Sequence, residues 1–173
     1  MRRPVDKERI RRFMAALGAE VDGETRLYFT SGASAVLLGL RPSTNELDIK
    51  IEPESDRVFR ALPRLEEELE VDIEIASTDQ FIPELTGWQE RSLFISREGQ
   101  LSFYHYDLYA QVLSKVQRGH WQDFSDVKRM LDGGHVDRAE LRRRFEEIEP
   151  RLYRNPGIDR VAFRRSVEEL TRG

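Results

Sequence analysis

The chain has 173 residues, of which 39% are hydrophobic and 35% charged, so it can bury a core in one domain, or in one domain with a small helical appendage. It has no cysteine, which excludes disulfide frameworks, thiolate zinc sites and cysteine nucleophiles. The net charge of −4 argues against a protein that coats nucleic acid. No apolar run approaches the roughly 18 residues of a membrane span, and the first residues, MRRPVDKERIRRF, lack the apolar core of a signal peptide, so we expect a cytoplasmic protein.

The first two thirds of the chain alternate between helical and strand periodicity. Strict period-two alternation over 46–52 and 70–75 gives the clearest strand predictions. Glycine and proline mark most of the breaks between elements. In chain order we predict a helix over 5–17, a strand over 27–30, a helix over 33–40, a strand over 46–52, a helix over 55–69 that kinks or restarts at Pro63, a strand over 70–75, and a hairpin formed by 92–96 and 101–104.

From Asp107 onward the period changes from 2 to 3.6, which predicts helices near 107–118, 123–132, 137–149 and 158–171. Strands followed by a run of helices favour the α+β class. We therefore predict a core with a small mixed β-sheet and helices packed on it over residues 1–106. A C-terminal helical bundle follows over residues 107–173.

Carboxylates share one face of each alternating strand, because side chains two residues apart point to the same side. Like charges on neighbouring strands repel unless a cation lies between them. Oxygen ligands without histidine or cysteine suit magnesium or manganese. The alternative is a solvated sheet face on which Lys50 neutralises its neighbours. The side chains concerned are Glu46, Asp48, Lys50 and Glu52 on the first strand, and Glu70, Asp72 and Glu74 on the second.

The Ser31-Gly32 pair follows a strand and precedes a short helix. A glycine at such a turn lets the backbone approach a phosphate closely, and the N–H groups at the start of the helix point at the anion. The carboxylate pair that follows can hold a metal ion which bridges the phosphates and the attacking oxygen.

The segment SGASAVLLGLRPSTNELDIKIE resembles the signature of the DNA polymerase β-type (minimal) nucleotidyltransferase superfamily. Ser31-Gly32 stands at the small-residue pair, residues 33–45 form the spacer, and Glu46 and Asp48 stand at the two carboxylates. Arg41 and Thr44 match an arginine and a threonine that often precede the acidic pair.

A second segment, DLYAQVLSKVQRGHWQDFSDVKRML, is similar to the lysine helix and the Asp-x-x-Asp helix of the AbiEii-like branch, which includes toxins of toxin–antitoxin pairs. Here Lys115 and Arg118 lie three residues apart on one helix, and Asp123 and Asp126 three apart on the next. Together the two segments extend the resemblance over residues 25–132.

The resemblance implies a magnesium- or manganese-dependent transfer of a nucleoside monophosphate from an NTP to an acceptor hydroxyl on RNA, such as tRNA, or on protein. A cognate antitoxin-type protein is an implied partner. The implied metal ligands are Glu46, Asp48 and Asp72, with Glu74 as the alternative third carboxylate and Lys115 as the group that neutralises the leaving pyrophosphate. The implied nucleotide-binding residues are Ser31, Gly32, Ser34, Arg41, Thr44, Arg118, Asp123 and Asp126.

Three alternatives stay open from the residues alone. The fold can be a catalytically silent nucleotide-binding or toxin–antitoxin regulatory module, or a dimerisation domain with a solvated acidic face. Lys115 either balances triphosphate charge, in which case we expect its pair with Asp123 to be exposed and of small effect on stability, or forms a structural ion pair with Asp123 whose loss lowers the melting temperature. Four aromatic side chains either stack on a base or pack within the protein: Tyr104, Tyr106, Tyr109 and Trp121.

Overall fold

A computed structural model describes residues 2–172 of the chain, except the side chains of Trp121 and Gln122. The chain divides into two compact units. The first unit comprises Met1–Ser77 and Ser92–Tyr106, and the second comprises Thr78–Arg91 and Asp107–Gly173. The domains predicted from sequence, 1–106 and 107–173, differ from these units in the placement of residues 78–91.

A five-stranded mixed sheet forms the centre of the first unit, in the order β5-β4-β2-β7-β6. Strand β2 pairs antiparallel with β4 and parallel with β7, while the outer pairs are β5 parallel to β4 and β6 antiparallel to β7. Strands β1 and β3 form a separate antiparallel pair. The strands are β1 (Val5–Asp6), β2 (Thr25–Thr30), β3 (Ser43–Thr44), β4 (Leu47–Glu52), β5 (Ile73–Ile75), β6 (Leu93–Glu98) and β7 (Leu101–His105).

Three helices pack on one face of this sheet: α1 (Lys7–Gly18), α2 (Ser31–Leu37) and α3 (Asp56–Leu69). Helix α3 begins after Ser55, whose hydroxyl accepts a hydrogen bond from the backbone N–H of Val58, and it continues through Pro63 without a restart. The core between helices and sheet includes Ile10, Phe13, Leu17, Leu27, Phe29, Val36, Leu47, Ile49, Val58, Leu65 and Phe103, all buried.

The opposite side of the sheet, which we call the polar face, follows from the period-two alternation of the strands. Buried apolar residues of β2, β4 and β7 point towards the helices, so the intervening residues lie on the other side. The polar face consists of Arg26, Tyr28 and Thr30 of β2, Asp48, Lys50 and Glu52 of β4, and Ser102 and Tyr104 of β7.

The second unit is helical, with α4 (Trp88–Arg91), α5 (Leu108–Arg118), α6 (Trp121–Asp132), α7 (Arg138–Ile148) and α8 (Arg160–Thr171). Aspartates cap three of these helices, since Asp107, Asp137 and Asp159 accept hydrogen bonds from backbone N–H groups two or three residues later. The Phe145 and Phe163 rings pack edge to face 4.8 Å apart, joining α7 to α8. Short 3₁₀ turns occupy Thr78–Gln80 and Glu149–Arg154.

The predicted α+β class is confirmed, with a mixed sheet first and the C-terminal helices after it. The strand predicted over 70–75 is paired only over Ile73–Ile75, and the helix predicted from residue 33 begins at Ser31. Among residues 2–172, no helix combines the length and the hydropathy needed to cross a membrane.

Candidate metal and nucleotide site

Three carboxylates converge at one end of the polar face. One oxygen from each of Glu46, Asp48 and Glu74 lies within 4.8 Å of those of the other two. Pairing of β4 with β5 places Asp48 directly opposite Glu74, and Glu46 precedes β4 by one residue. Asp48 is half-buried, while the other two are exposed. We call these three residues the acid cluster.

The structure brings Glu74, the alternative third carboxylate, into the acid cluster and leaves Asp72, the predicted metal ligand, outside it. Asp72 precedes the first paired residue of β5, and its Oδ1 lies 3.2 Å from Nη1 of Arg2. Its backbone carbonyl accepts a hydrogen bond from the N–H of Leu47, which fixes the start of the β4–β5 pairing. Alternation puts Asp72 and Glu74 on one face, but only Glu74 lies opposite Asp48.

The chemistry of the acid cluster fits a hard divalent cation. Three carboxylates at such short range repel one another, and this repulsion is relieved by a cation that they share. All three donors are oxygens, the ligand type that magnesium and manganese prefer. The residues present therefore fit the metal that the sequence motif implies, with Glu46, Asp48 and Glu74 as the residues that would hold it.

The Ser31-Gly32 turn lies between β2 and α2. Ser31 has a φ of 53°, in the left-handed region that glycine enters at lower cost than other residues. A Cβ added at Gly32 would overlap the hydroxyl of Thr44 and the guanidinium of Arg41. Thr44 is itself anchored, because its Oγ1 donates to the carbonyl of Glu46 at 3.2 Å. Gly32, Arg41 and Thr44 are thus brought together, and Thr44 contacts the backbone of Glu46.

Ser34 is not placed for the phosphate contact that the sequence predicts. Its side chain is fully buried, and its Oγ forms a hydrogen bond with Nδ1 of His105, 2.6 Å away. Ser34 lies on the face of α2 that packs into the first unit, and His105 ends β7. The prediction rested on the position of Ser34 in the motif, whereas helical geometry turns this residue inward.

The predicted lysine and aspartates form a buried ion-pair network inside the second unit. Nζ of Lys115 lies 3.3 Å from Oδ1 of Asp123 and 3.3 Å from Oδ2 of Asp126, and its side chain is 2% exposed. Arg118 completes the network, with Nη2 3.3 Å from Oδ2 of Asp123 and its guanidinium over the ring of Phe81. The expectation of an exposed Lys115–Asp123 pair is wrong, because α5 and α6 pack these side chains between them. The burial favours the structural role that the sequence left open.

A second buried ion pair, which sequence reasoning did not find, joins Arg91 to Asp107. Nε and Nη2 of Arg91 donate to Oδ2 of Asp107 at 3.0 and 2.8 Å. Burial raises the pKa of the Asp107 carboxyl and outweighs the lowering by the hydrogen bonds from Arg91. In the sequence, the only indication of this ion pair was that Asp107 precedes a predicted helix. That position is typical of a helix cap and does not predict a contact with a distant arginine.

Comparison with known protein families gives one finding that bears on this site. The family described as "Nucleotidyltransferase of unknown function (DUF6036)" matches residues 9–169. No curated protein matches the chain, and no solved structure matches it. The family match includes the Ser31-Gly32 turn, the acid cluster and both motif helices of the second unit, and it spans most of the chain. The chain therefore belongs to this family of nucleotidyltransferases.

Proposed function

We propose that the protein transfers a nucleoside monophosphate from an NTP to an acceptor hydroxyl, with a divalent metal ion held by the acid cluster. The single observation that carries this proposal is the convergence of Glu46, Asp48 and Glu74, with one oxygen of each within 4.8 Å of those of the other two. Membership of a nucleotidyltransferase family supports the reaction class.

In the proposed reaction the acceptor oxygen forms a bond to the α-phosphorus, and the bond between that phosphorus and the bridging oxygen of the β-phosphate breaks. Pyrophosphate leaves with the electron pair, and the hydroxyl proton passes to a carboxylate oxygen of the acid cluster. When bound, magnesium or manganese supplies Lewis-acid stabilisation of the phosphoryl oxygens.

The turn residues have separate roles in this proposal. Gly32 lacks a side chain, and this leaves room beside its backbone for the hydroxyl of Thr44 and the guanidinium of Arg41. Arg41, whose guanidinium borders Gly32, supplies positive charge beside that position. Thr44 anchors the segment that leads from Arg41 to the acid cluster. An RNA acceptor and an antitoxin-type partner stay predictions that rest on the resemblance to the AbiEii-like branch.

The test is nucleotide-dependent thermal stabilisation of wild-type protein, Asp48→Asn and Glu52→Gln. Glu52 is the matched control, because it is a half-buried carboxylate on the same face of β4 but outside the acid cluster. A ligand at a hundredfold excess over its dissociation constant stabilises the folded state by about 2.7 kcal/mol. At about 2–4 °C per kcal/mol for a chain of this size, a non-hydrolysable NTP with magnesium should raise the Tm by roughly 5–10 °C.

We expect wild type and Glu52→Gln to show this rise, and Asp48→Asn to fold normally but lose it. A wild-type rise that does not require metal, or an Asp48→Asn rise equal to that of wild type, contradicts the metal assignment. Transfer itself is measured with α-labelled NTPs and total tRNA or cell protein as acceptors. Binding without incorporation of label into any acceptor contradicts the catalytic part of the proposal.

A further inference from the structure

A row of aromatic rings crosses the polar face from its centre to the edge strand β6. Tyr28 pairs in register with Tyr104, and Tyr104 with Phe94. The Tyr28 and Tyr104 rings stack with centroids 5.3 Å apart, and the Phe94 ring meets Tyr104 edge to face at 5.7 Å. We call Tyr28, Tyr104 and Phe94 the aromatic row.

Exposure increases along the aromatic row towards the edge of the sheet. Tyr28 is 1% exposed, Tyr104 is half-buried, and Phe94 is 60% exposed. A single exposed phenylalanine is ordinary on a protein surface. Here, however, the exposed Phe94 ring packs against Tyr104, which itself stacks on the buried Tyr28, so the ring that reaches the surface is held in place.

Guanidinium groups accompany the aromatic row. Cζ of Arg26 lies 5.7 Å from the centroid of the Tyr104 ring, and Arg97 occupies the next position along the same side of β6. Carboxylates are also present, since Glu52 lies opposite Arg26 and Glu24 pairs with Arg97 at 2.5 Å. Aromatic rings interleaved with arginines are typical of surfaces that bind single-stranded nucleic acid, where bases stack on the rings and phosphates contact the cations.

The aromatic row lies on the same face as the acid cluster. Asp48 is one strand and two residues away from Tyr28, because Thr30 pairs with Asp48 across β2 and β4. Two strand spacings of about 4.8 Å and two residue rises of about 3.4 Å separate Tyr104 from Asp48, a distance of roughly 12 Å. A chain end that stacks a base on Tyr104 can therefore present its terminal hydroxyl near the acid cluster.

We propose that Tyr104 and Phe94 stack an unpaired base of a single-stranded polynucleotide, RNA or DNA, whose terminal hydroxyl is the acceptor of the transferred nucleotide. Arg26 contacts a phosphate of the same strand. The inference rests on the proposed nucleotidyl transfer and names its acceptor class. The net charge of −4 restricts the contact to a small footprint of this kind.

The competing occupant is a protein segment that pairs with the edge of β6, either from a partner or from a second copy of the chain. Leu93 distinguishes the two cases. It is 49% exposed, adjoins Phe94 on β6, and points to the opposite side of the strand. Edge pairing would engage the strand on both sides, whereas base stacking would engage only the side of Phe94 and Tyr104.

The test is binding of short fluorescein-labelled single-stranded RNA and DNA oligonucleotides of one sequence, followed by fluorescence anisotropy in the presence of EDTA. We expect Phe94→Ala to weaken binding by at least about fivefold, in line with the usual effect of removing one stacking ring. Leu93→Ala, the matched control, should bind like wild type. Arg26→Gln should bind more weakly and show a smaller dependence of affinity on salt. The RNA and DNA arms identify the preferred sugar.

Equal affinities of wild type and Phe94→Ala, or no binding of either oligonucleotide, overturn the inference. So does a loss in Leu93→Ala that equals the loss in Phe94→Ala, or a wild-type dimer in sedimentation that Phe94→Ala dissociates, since both indicate a protein at the edge of β6. EDTA makes the result independent of the metal site. Metal-dependent NTP binding without oligonucleotide binding contradicts this inference alone, while the reverse contradicts the proposed function alone.

Discussion

Replacement of Lys115 by methionine tests whether the ion-pair network of the second unit is structural. The ammonium group is 2% exposed and lies 3.3 Å from carboxylate oxygens of both Asp123 and Asp126. Methionine keeps most of the volume of the lysine stem but removes the charge. Arg118 would keep its contact with Asp123, while the Asp126 carboxylate, whose side chain is 4% exposed, would lose its contact with the ammonium.

The expected loss of stability is large, because removal of the lysine ammonium leaves carboxylate charge in a poorly solvated part of the protein. Breaking a buried ion pair in this way costs about 3–5 kcal/mol. For a domain of 150–250 residues, each kcal/mol lowers the Tm by about 2–4 °C, so Lys115→Met should lower it by roughly 6–20 °C. A surface pair would change stability by less than about 1 kcal/mol.

The assay is thermal unfolding followed by circular dichroism, with Lys128→Met as the matched control. Lys128 is an exposed lysine of α6, so its replacement should change stability by no more than about 0.5 kcal/mol. The double variant Lys115→Met/Asp126→Leu should recover part of the loss, because it also removes one of the two carboxylates that the ammonium contacts. A Tm of Lys115→Met within the error of the Lys128→Met value would refute the reasoning.

Two further predictions concern the first unit's turn and the acid stability of the second unit. Gly32→Ala should lower the free energy of unfolding by about 1–3 kcal/mol, because its Cβ would meet the Thr44 side chain. Gly23→Ala is the control and should leave the Tm unchanged, since nothing lies within 4 Å of its Cβ. Equal Tm values for the two variants would contradict the close contact at Gly32. Hydrogen bonds from Arg143 and Arg164 lower the pKa of the Glu140 and Glu168 carboxyls. Their stabilisation is therefore present at neutral pH and lost as the pH falls through their folded-state pKa, below the ordinary value of 4.5. Glu140→Gln should consequently lower the Tm at pH 7 but match wild type near the acid end of a pH series, and a constant difference at all pH values would contradict this.

Much of the polar face could be predicted from the sequence, because period-two alternation is a local property. The pattern over 46–52 indicated a strand and placed Asp48 on the polar side and Ile49 on the core side, as the structure has them. The position of the turn at Ser31-Gly32 could also be predicted, because a strand pattern, a Ser-Gly pair and a helical pattern follow one another in the sequence.

Strand pairing and side-chain burial could not be predicted as well from the sequence, because they depend on residues that are distant in the chain. Asp72 and Glu74 are two residues apart and therefore lie on the same face of the strand. Only the β4–β5 register, which begins at Leu47 and Ile73, places Glu74 rather than Asp72 opposite Asp48. Lys115 was expected to be exposed because lysine usually is, and only the packing of α5 against α6 buries it. The Ser34–His105 hydrogen bond joins residues 71 positions apart, and no local pattern relates them.

The two functional proposals for the first unit share one structural cause. Helices α1, α2 and α3 all pack on the apolar side of the sheet, so every polar or aromatic residue of the intervening positions lies on the other side. The strand order β5-β4-β2-β7-β6 then determines the order in which these residues lie across that face. Carboxylates fall on β5 and β4, and rings fall on β2, β7 and β6, with Tyr28 directly opposite Lys50 where the two regions meet. The proposed nucleotide site and the proposed base-stacking surface therefore lie on the same face of the sheet, as transfer to a polynucleotide end would require.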